Sequence, residues 1–236
     1  QKHMFQSRAL INDFQTRMGI DLNQGKKKIL WFTDTINDLN GVSETLKELG
    51  WITFRKDHPI KIVTADSENH KNNQLPPNII LLPVFFRTKI PSYEDYVLHF
   101  PSVLRSINIL QKEEPTEIYI STPGPIGLLG LLAARLFNIK CSGIYHTDFK
   151  AEVEKISSDR ALTDLFEAYT RWFYSMMNSI KVHSKEYIEL LAGRGLDQKR
   201  LHFLPKGIDP DLFNYKKNGR NVLKEKYGVD GGISLL

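Results

Sequence analysis

From Lys28 onward the chain alternates short β-branched or apolar runs with amphipathic stretches, and no other feature constrains the fold as tightly. Repeated βα alternation is the sequence form of a parallel sheet whose crossovers are helices. Strands are expected over residues 28–32, 60–64, 79–85, 117–121, 141–145, 180–183 and 201–204, and helices over 43–56, 100–112, 124–137, 163–178 and 185–192. The expected fold class is therefore α/β, a Rossmann-like open parallel sheet of about seven strands flanked by helices.

Local punctuation refines these limits. Thr122-Pro123 and Asp209-Pro210 each read as an N-cap followed by proline at the first helical position, and Ser184 sits where a cap should follow the sixth strand. Gly50 interrupts the first helix at a cost of about 1 kcal/mol relative to alanine. Residues 66–77 and 87–96 read as loops, the first rich in Asn, Lys and Ser, the second bracketed by Pro83 and Pro91. Leu162, Leu165, Phe166, Tyr169, Trp172, Phe173, Met176 and Met177 recur at steps of three and four and predict one wide apolar stripe buried against the sheet. A cofactor box built from the same aromatics is the other use of such a stripe.

Residues 1–27 form an N-terminal extension with a helix expected over 5–18, and residues 28–205 form the main domain. Residues 206–236 read as a linker and the start of a second domain. There, 222–227 is expected to be a helix closed by Gly228, and Ile233-Ser234-Leu235-Leu236 to open a new strand. A chain of 236 residues, at roughly 150 per domain, agrees with one full domain and a remainder.

Composition narrows the class of function. With 41% apolar and 11% aromatic residues, collagen, coiled coil and intrinsic disorder are excluded. Lys and Arg outnumber Asp and Glu by 32 to 27, a net +5 that permits a phosphate-bearing partner without choosing among nucleotide, nucleic acid and anionic bilayer. The longest apolar run, 126–134, is less than half of the roughly 20 residues needed to cross a bilayer. Cys141 is the only cysteine, so no disulfide forms within the chain and a cytosolic setting is expected.

In an open parallel sheet, ligands bind beyond the carboxyl ends of the strands. Four of those turns carry candidate chemistry. The turn after the first strand holds Asp34, Thr35 and Asn40-Gly41-Val42-Ser43, where backbone N–H groups at a helix start could meet a phosphate. The same Asn40-Gly41 also reads as a plain turn with Asn40 as cap, and the Walker and dinucleotide glycine patterns are both absent. The turn after the fourth strand, Thr122-Pro123-Gly124-Pro125, leads into glycines spaced by three, a stripe that favours close helix packing over ligand contact.

The third turn is His146-Thr147-Asp148. A histidine there can exchange a proton, hold a polar ligand group or simply support the structure. No metal site is expected, because His146 and Asp148 lack partners at ligand spacing, and nothing in the sequence demands that His183 approach them. The fourth turn, Leu204-Pro205-Lys206-Gly207-Ile208-Asp209, offers Lys206 as a cation at the cleft edge.

Taken in order, Phe32-Thr33-Asp34-Thr35 with Asn40-Gly41-Val42, Thr122-Pro123-Gly124-Pro125, Tyr145-His146-Thr147-Asp148-Phe149, Ser184 with Tyr187, and Leu204-Pro205-Lys206-Gly207-Ile208-Asp209 resemble the N-terminal half of the retaining family-4 glycosyltransferases of the two-Rossmann-domain GT-B type. The resemblance implies sugar transfer from a nucleotide-sugar donor to a carbohydrate or lipid acceptor, without a metal or other cofactor. It assigns Gly41 and Val42 to the donor phosphates, His146 to the transferred sugar, and Asp34, Thr35, Thr147 and Asp148 to the acceptor. Lys206 stands where asparagine is frequent in the family, which leaves its role open. It further implies that the donor-gripping half lies beyond this chain, which alone should be inactive.

Two rival readings remain at this level. A non-catalytic Rossmann-like module for an anionic ligand or nucleic acid rests only on charge, at 26–28, Arg87 with Lys89, and Lys216-Lys217, and no nucleic-acid motif accompanies it. A cytoplasmic enzyme peripheral to the inner face of a membrane would use residues 85–89, Tyr187-Ile188 and Lys199-Arg200.

Overall fold

The computed structural model describes residues 27–36, 41–65, 75–90, 93–156 and 159–205. The chain divides after Leu204 into two compact units, and every element below belongs to the first. The helix expectations at 5–18 and 222–227, the strand at 233–236, the Asp209-Pro210 cap, Lys206 and most of the 66–77 loop lie outside the described residues.

The elements run β1 (Ile29–Phe32), α1 (Gly41–Arg55), β2 (Ile60–Ala65), β3 (Ile79–Leu82), β4 (Val84–Ile90), β5 (Tyr93–Pro101), α2 (Val103–Lys112), β6 (Glu117–Ile120), α3 (Pro125–Phe137), β7 (Lys140–Tyr145), α4 (Phe149–Ile156), α5 (Arg160–Ser175), β8 (Ser179–Val182), α6 (Lys185–Gly193) and, after a 3₁₀ turn, β9 (Leu201–Phe203). Seven strands form one sheet in the order β3-β2-β1-β6-β7-β8-β9. All neighbours in it are parallel, with Phe32 opposite both Val63 and Ile120. After β1 the chain steps to one side for β2 and β3, then crosses to the other for β6 to β9. The reversal places a topological switch point between β1 and β6, where open α/β sheets bind ligands.

The centre of the sheet is apolar because it is covered on both faces. Leu30, Phe32, Ile118, Ile120, Ile144 and Val182 are buried in it. Helix α3 adds Ile126, Leu129, Ala133, Ala134 and Phe137. Its glycines are there for packing: a Cβ on Gly130 would stand 2.8 Å from Cγ of Phe32, and one on Gly127 would meet the Thr122 carbonyl. Gly50 has the same reason, since a Cβ there would lie 2.5 Å from Pro76. The helix-propensity cost at Gly50 is the condition for bringing α1 against the Leu75-Pro76 segment.

Five expectations are corrected. The strand expected over 79–85 breaks at Pro83, which has no N–H to give a ladder, and the loop expected over 87–96 is an antiparallel hairpin of β4 and β5. The hairpin consumes Phe100 and Pro101, so the following helix starts at Val103. Helix α3 starts at Pro125 rather than Pro123, with Gly124 at the cap position, and Thr122 is not its cap. The apolar stripe on α5 is only partly core: Phe173 is buried, but Leu165 is 67% and Trp172 49% exposed, and the helix also packs against α4, which the sequence pattern did not reveal. Ser184 does cap α6, accepting from the Tyr187 N–H at 3.2 Å. Among the described residues no helix is long and apolar enough to cross a membrane.

Candidate functional site

Every strand of the main sheet points the same way, so the turns after β1, β6, β7 and β8 share its carboxyl edge. Hydrogen bonds tie those turns together. Asp34, after β1, accepts from the Thr122 hydroxyl at 2.6 Å and from the N–H groups of Ile126 at 2.8 Å and Gly127 at 3.3 Å. Its own N–H donates to Oγ1 of Thr122 at 2.8 Å. The Asp34 carboxylate thus caps α3 from a different part of the chain, supplying the acceptor that Gly124 cannot. Gly124 has to be bare, because a Cβ there would stand 2.5 Å from the Asp34 carboxyl carbon. Burial pushes the Asp34 carboxyl up to about 6, outweighing the hydrogen bonds from Thr122, Ile126 and Gly127 that lower it.

A second chain of polar groups crosses the switch point. The indole N–H of Trp31 on β1 donates to Oγ of Ser121 at 2.6 Å, and that oxygen lies 3.3 Å from Nε2 of His146 after β7. Nδ1 of His146 lies 3.0 Å from Nε2 of His183 after β8, and Nδ1 of His183 lies 2.8 Å from the Leu204 carbonyl. The two rings are 4.8 Å apart at 35°. Sequence reasoning placed His146 at this edge and His183 one strand later, where it could approach, but did not require the two to meet and did not name Ser121 as a partner. Ser121 is simply the residue after an apolar strand, and His183 lies 37 positions away in sequence.

Of the other candidates, Gly41 opens α1 and is exposed, with no atom of the other described residues within 4 Å of where a Cβ would stand. Val42 packs against the cluster of Ile36, Leu46 and Ile62. Thr35 is buried, 3.3 Å from the Thr33 hydroxyl, and Thr147 is half-buried beside His146. Asp148 receives a two-pronged bond from Arg194 at 2.7 and 2.8 Å and one from the Tyr145 hydroxyl at 3.2 Å. Burial pushes the Asp148 carboxyl up, but the hydrogen bonds and charge of Arg194 and the Tyr145 bond prevail and hold it below the usual carboxylate range. Arg194 also lies 3.7 Å from Glu167, which pairs with Lys150 at 2.6 Å. The expected acceptor residues Asp34 and Asp148 therefore have their carboxylates engaged within the chain. A concavity of about 450 Å³ lined in part by Lys56, Asp57, His58 and Pro59 lies at the opposite, amino-terminal edge of the sheet, away from the histidines.

An open parallel Rossmann-like sheet, with a histidine and a helix start on the strands flanking β6, defines the class of fold, one whose ligands bind at the carboxyl edge of the sheet. The family model for Glycosyltransferase Family 4 matches residues 39–212, well over half of the chain, and the chain belongs to that family. No curated protein sequence matches it.

Among solved structures it is similar to HepE from Anabaena in complex with UDP and glucose, at 13% identity and a TM-score of 0.58, covering 86% of this chain and 50% of that one. It is also similar to sucrose-phosphate synthase from Thermosynechococcus elongatus, at 13% identity and a TM-score of 0.57, covering 80% and 50%. A third is the catalytic domain of starch synthase IV from Arabidopsis thaliana bound to ADP and acarbose, at 11% identity and a TM-score of 0.50, covering 89% and 61%. At such identities the likeness is one of fold. The chain spans half the length of the first two.

Proposed function

We propose that this chain is the acceptor-side half of an enzyme that moves a sugar from a nucleoside-diphosphate donor to an acceptor hydroxyl with retained configuration. In this reading residues 28–205 are the N-terminal domain, and residues from 206 onward lead into the half that grips the nucleotide. The observation that carries the proposal is the convergence of His146 and Gly41 on the carboxyl edge, from strands flanking β6 at the switch point. Family membership and the UDP complex of HepE support it.

The chemistry follows from what each group can do. A departing nucleoside diphosphate gains negative charge, which N–H dipoles at the open start of α1 can stabilise where the bare Gly41 lets phosphate oxygens approach. His146 orients a hydroxyl of the transferred sugar, and no protein nucleophile is required. Val42 contributes its N–H rather than its side chain, which is packed. Thr35, Thr147, Asp34 and Asp148 shape the acceptor side, the two aspartates by fixing α3 and the β7–α4 turn. This half alone turns over little or nothing, and the reaction as proposed uses no metal or other cofactor.

In the full-length enzyme, screened with a panel of nucleotide-sugars, His146→Ala should lower kcat at least about tenfold, since groups in such roles contribute roughly 10² to 10⁴. Gly41→Val should raise the donor KM with the fold intact. Normal kinetics in both variants would remove the site from the reaction.

A specific observation favours a membrane-borne acceptor as a second reading. Phe85 is 73% exposed on the β4–β5 hairpin and Leu104 69% exposed in the first turn of α2, and Phe86, Lys89 and Arg105 beside them in sequence are also exposed. Exposed apolar side chains interspersed with cations suit an anionic bilayer. Flotation of the full-length protein with anionic vesicles tests this, and loss of binding in Phe85→Ser/Leu104→Ser is the expected result.

A further inference from the structure

The hydrogen-bond chain through the two histidines has a direction that the chemistry of its ends imposes. A carbonyl only accepts, so Nδ1 of His183 carries a proton and donates to Leu204 across 2.8 Å. In the neutral ring Nε2 of His183 is then a lone pair, and its 3.0 Å contact with Nδ1 of His146 requires a proton on the latter. Nε2 of His146 is left as an acceptor, 3.3 Å from the Ser121 hydroxyl. At the far end, the indole N–H of Trp31 can only donate, and it donates to that same hydroxyl oxygen at 2.6 Å, which leaves the Ser121 proton available to His146. The acceptor-only carbonyl sets this polarity, and the donor-only indole at the other end is compatible with it.

We propose that His183 is a positioning residue for His146. It holds the imidazole as the Nδ1–H tautomer, so that Nε2 presents a lone pair at the carboxyl edge and takes a donated hydrogen bond from a sugar hydroxyl in exchange for that of Ser121. The proposal rests on the sugar-transfer reading and adds to it the ring state that reading needs. The partner of the other ring nitrogen fixes the tautomer, and that partner comes from β8, anchored in turn by the last residue of the described unit before Pro205.

The test uses full-length protein with ¹⁵N-labelled histidine. Two-bond ¹H–¹⁵N correlation reads the tautomer of each ring, with assignments made from His146 and His183 variants. The wild type should show both rings as Nδ1–H. His183→Ala should release His146 to a pattern dominated by Nε2–H and lower kcat about tenfold, the worth of one oriented hydrogen bond, with donor KM little changed. His183→Gln keeps an acceptor oxygen within reach of Nδ1–H and should restore both the pattern and most of the rate, which a merely space-filling role would not produce. Thermal melts confirm that each variant folds.

A wild-type His146 in the Nε2–H form, an unchanged pattern in His183→Ala, or an unchanged kcat once the pattern has changed would each overturn the proposal. The expected pattern in a protein that transfers no sugar from any donor tested would support the tautomer lock and overturn the sugar-transfer reading instead.

Discussion

Asp34 gives the sharpest check on how this edge of the sheet is built. It was expected to bind acceptor, and its part-buried carboxylate caps α3. Its folded pKa, about 6, stands above its ordinary value of 3.8, so the fold favours the protonated form more than water does. With that sign, the Asp34 contribution to stability is fully present below the unfolded pKa and fades as pH rises through about 6.

Between pH 7 and pH 5 the folded chain takes up most of a proton that the unfolded chain does not. At 1.36 kcal/mol per pH unit and proton, that is worth about 1 kcal/mol. The assay is urea or thermal unfolding of the wild type and Asp34→Asn at both pH values. Subtracting the two proteins cancels every other titrating group. The wild type's advantage over Asp34→Asn should be about 1 kcal/mol larger at pH 5 than at pH 7, roughly 2–4 °C in Tm for a domain of this size. Parallel titration of the two proteins would refute the burial argument. The opposite slope would mean that the helix N-terminus favours the ionised cap over the desolvation that opposes it.

Three further outcomes follow from the same geometry. Gly130→Ala should lower stability by about 1–3 kcal/mol, because its Cβ would collide with the Phe32 ring, whereas Gly41→Ala should be nearly neutral; equal melting temperatures for the two variants would contradict the packing account. Removing the Asp148 carboxylate with Asp148→Ala should cost about 2 kcal/mol, below the 3–5 typical of fully buried pairs because Arg194 keeps a fifth of its surface in water, and should flatten the loss of stability that the wild type shows as pH falls below about 4. Burial pushes the Cys141 thiol up to about 12, so a thiol reagent at pH 8 should label the native protein only at its unfolding rate, and rapid native labelling would show the strand to be accessible.

Several parts of the protein are legible in the chain as written. Period-two apolar runs such as Ile29–Phe32 and Glu117–Ile120 specify strands, and their alternation with amphipathic stretches specifies parallel pairing through helices. Residue order alone therefore fixes His146 and Gly41 at one edge, because a parallel sheet collects all its strand-to-helix turns there. Caps built from neighbours are equally local, as Ser184 shows.

What tertiary structure decided lies wherever a partner comes from far along the chain. The cap of α3 is Asp34, 92 residues before the N–H it receives, and no local rule announces it. The half-exposed stripe on α5 and the β4–β5 hairpin depend on which neighbour covers a surface, and hydrophobic spacing does not encode that. The polarity of the histidine chain needs Trp31, Ser121, His146, His183 and Leu204 brought within hydrogen-bond reach, and only the folded sheet supplies those distances. Periodicity acts through bonds a few residues long, whereas a ring's tautomer and a carboxylate's charge answer to whatever the fold sets about 3 Å away.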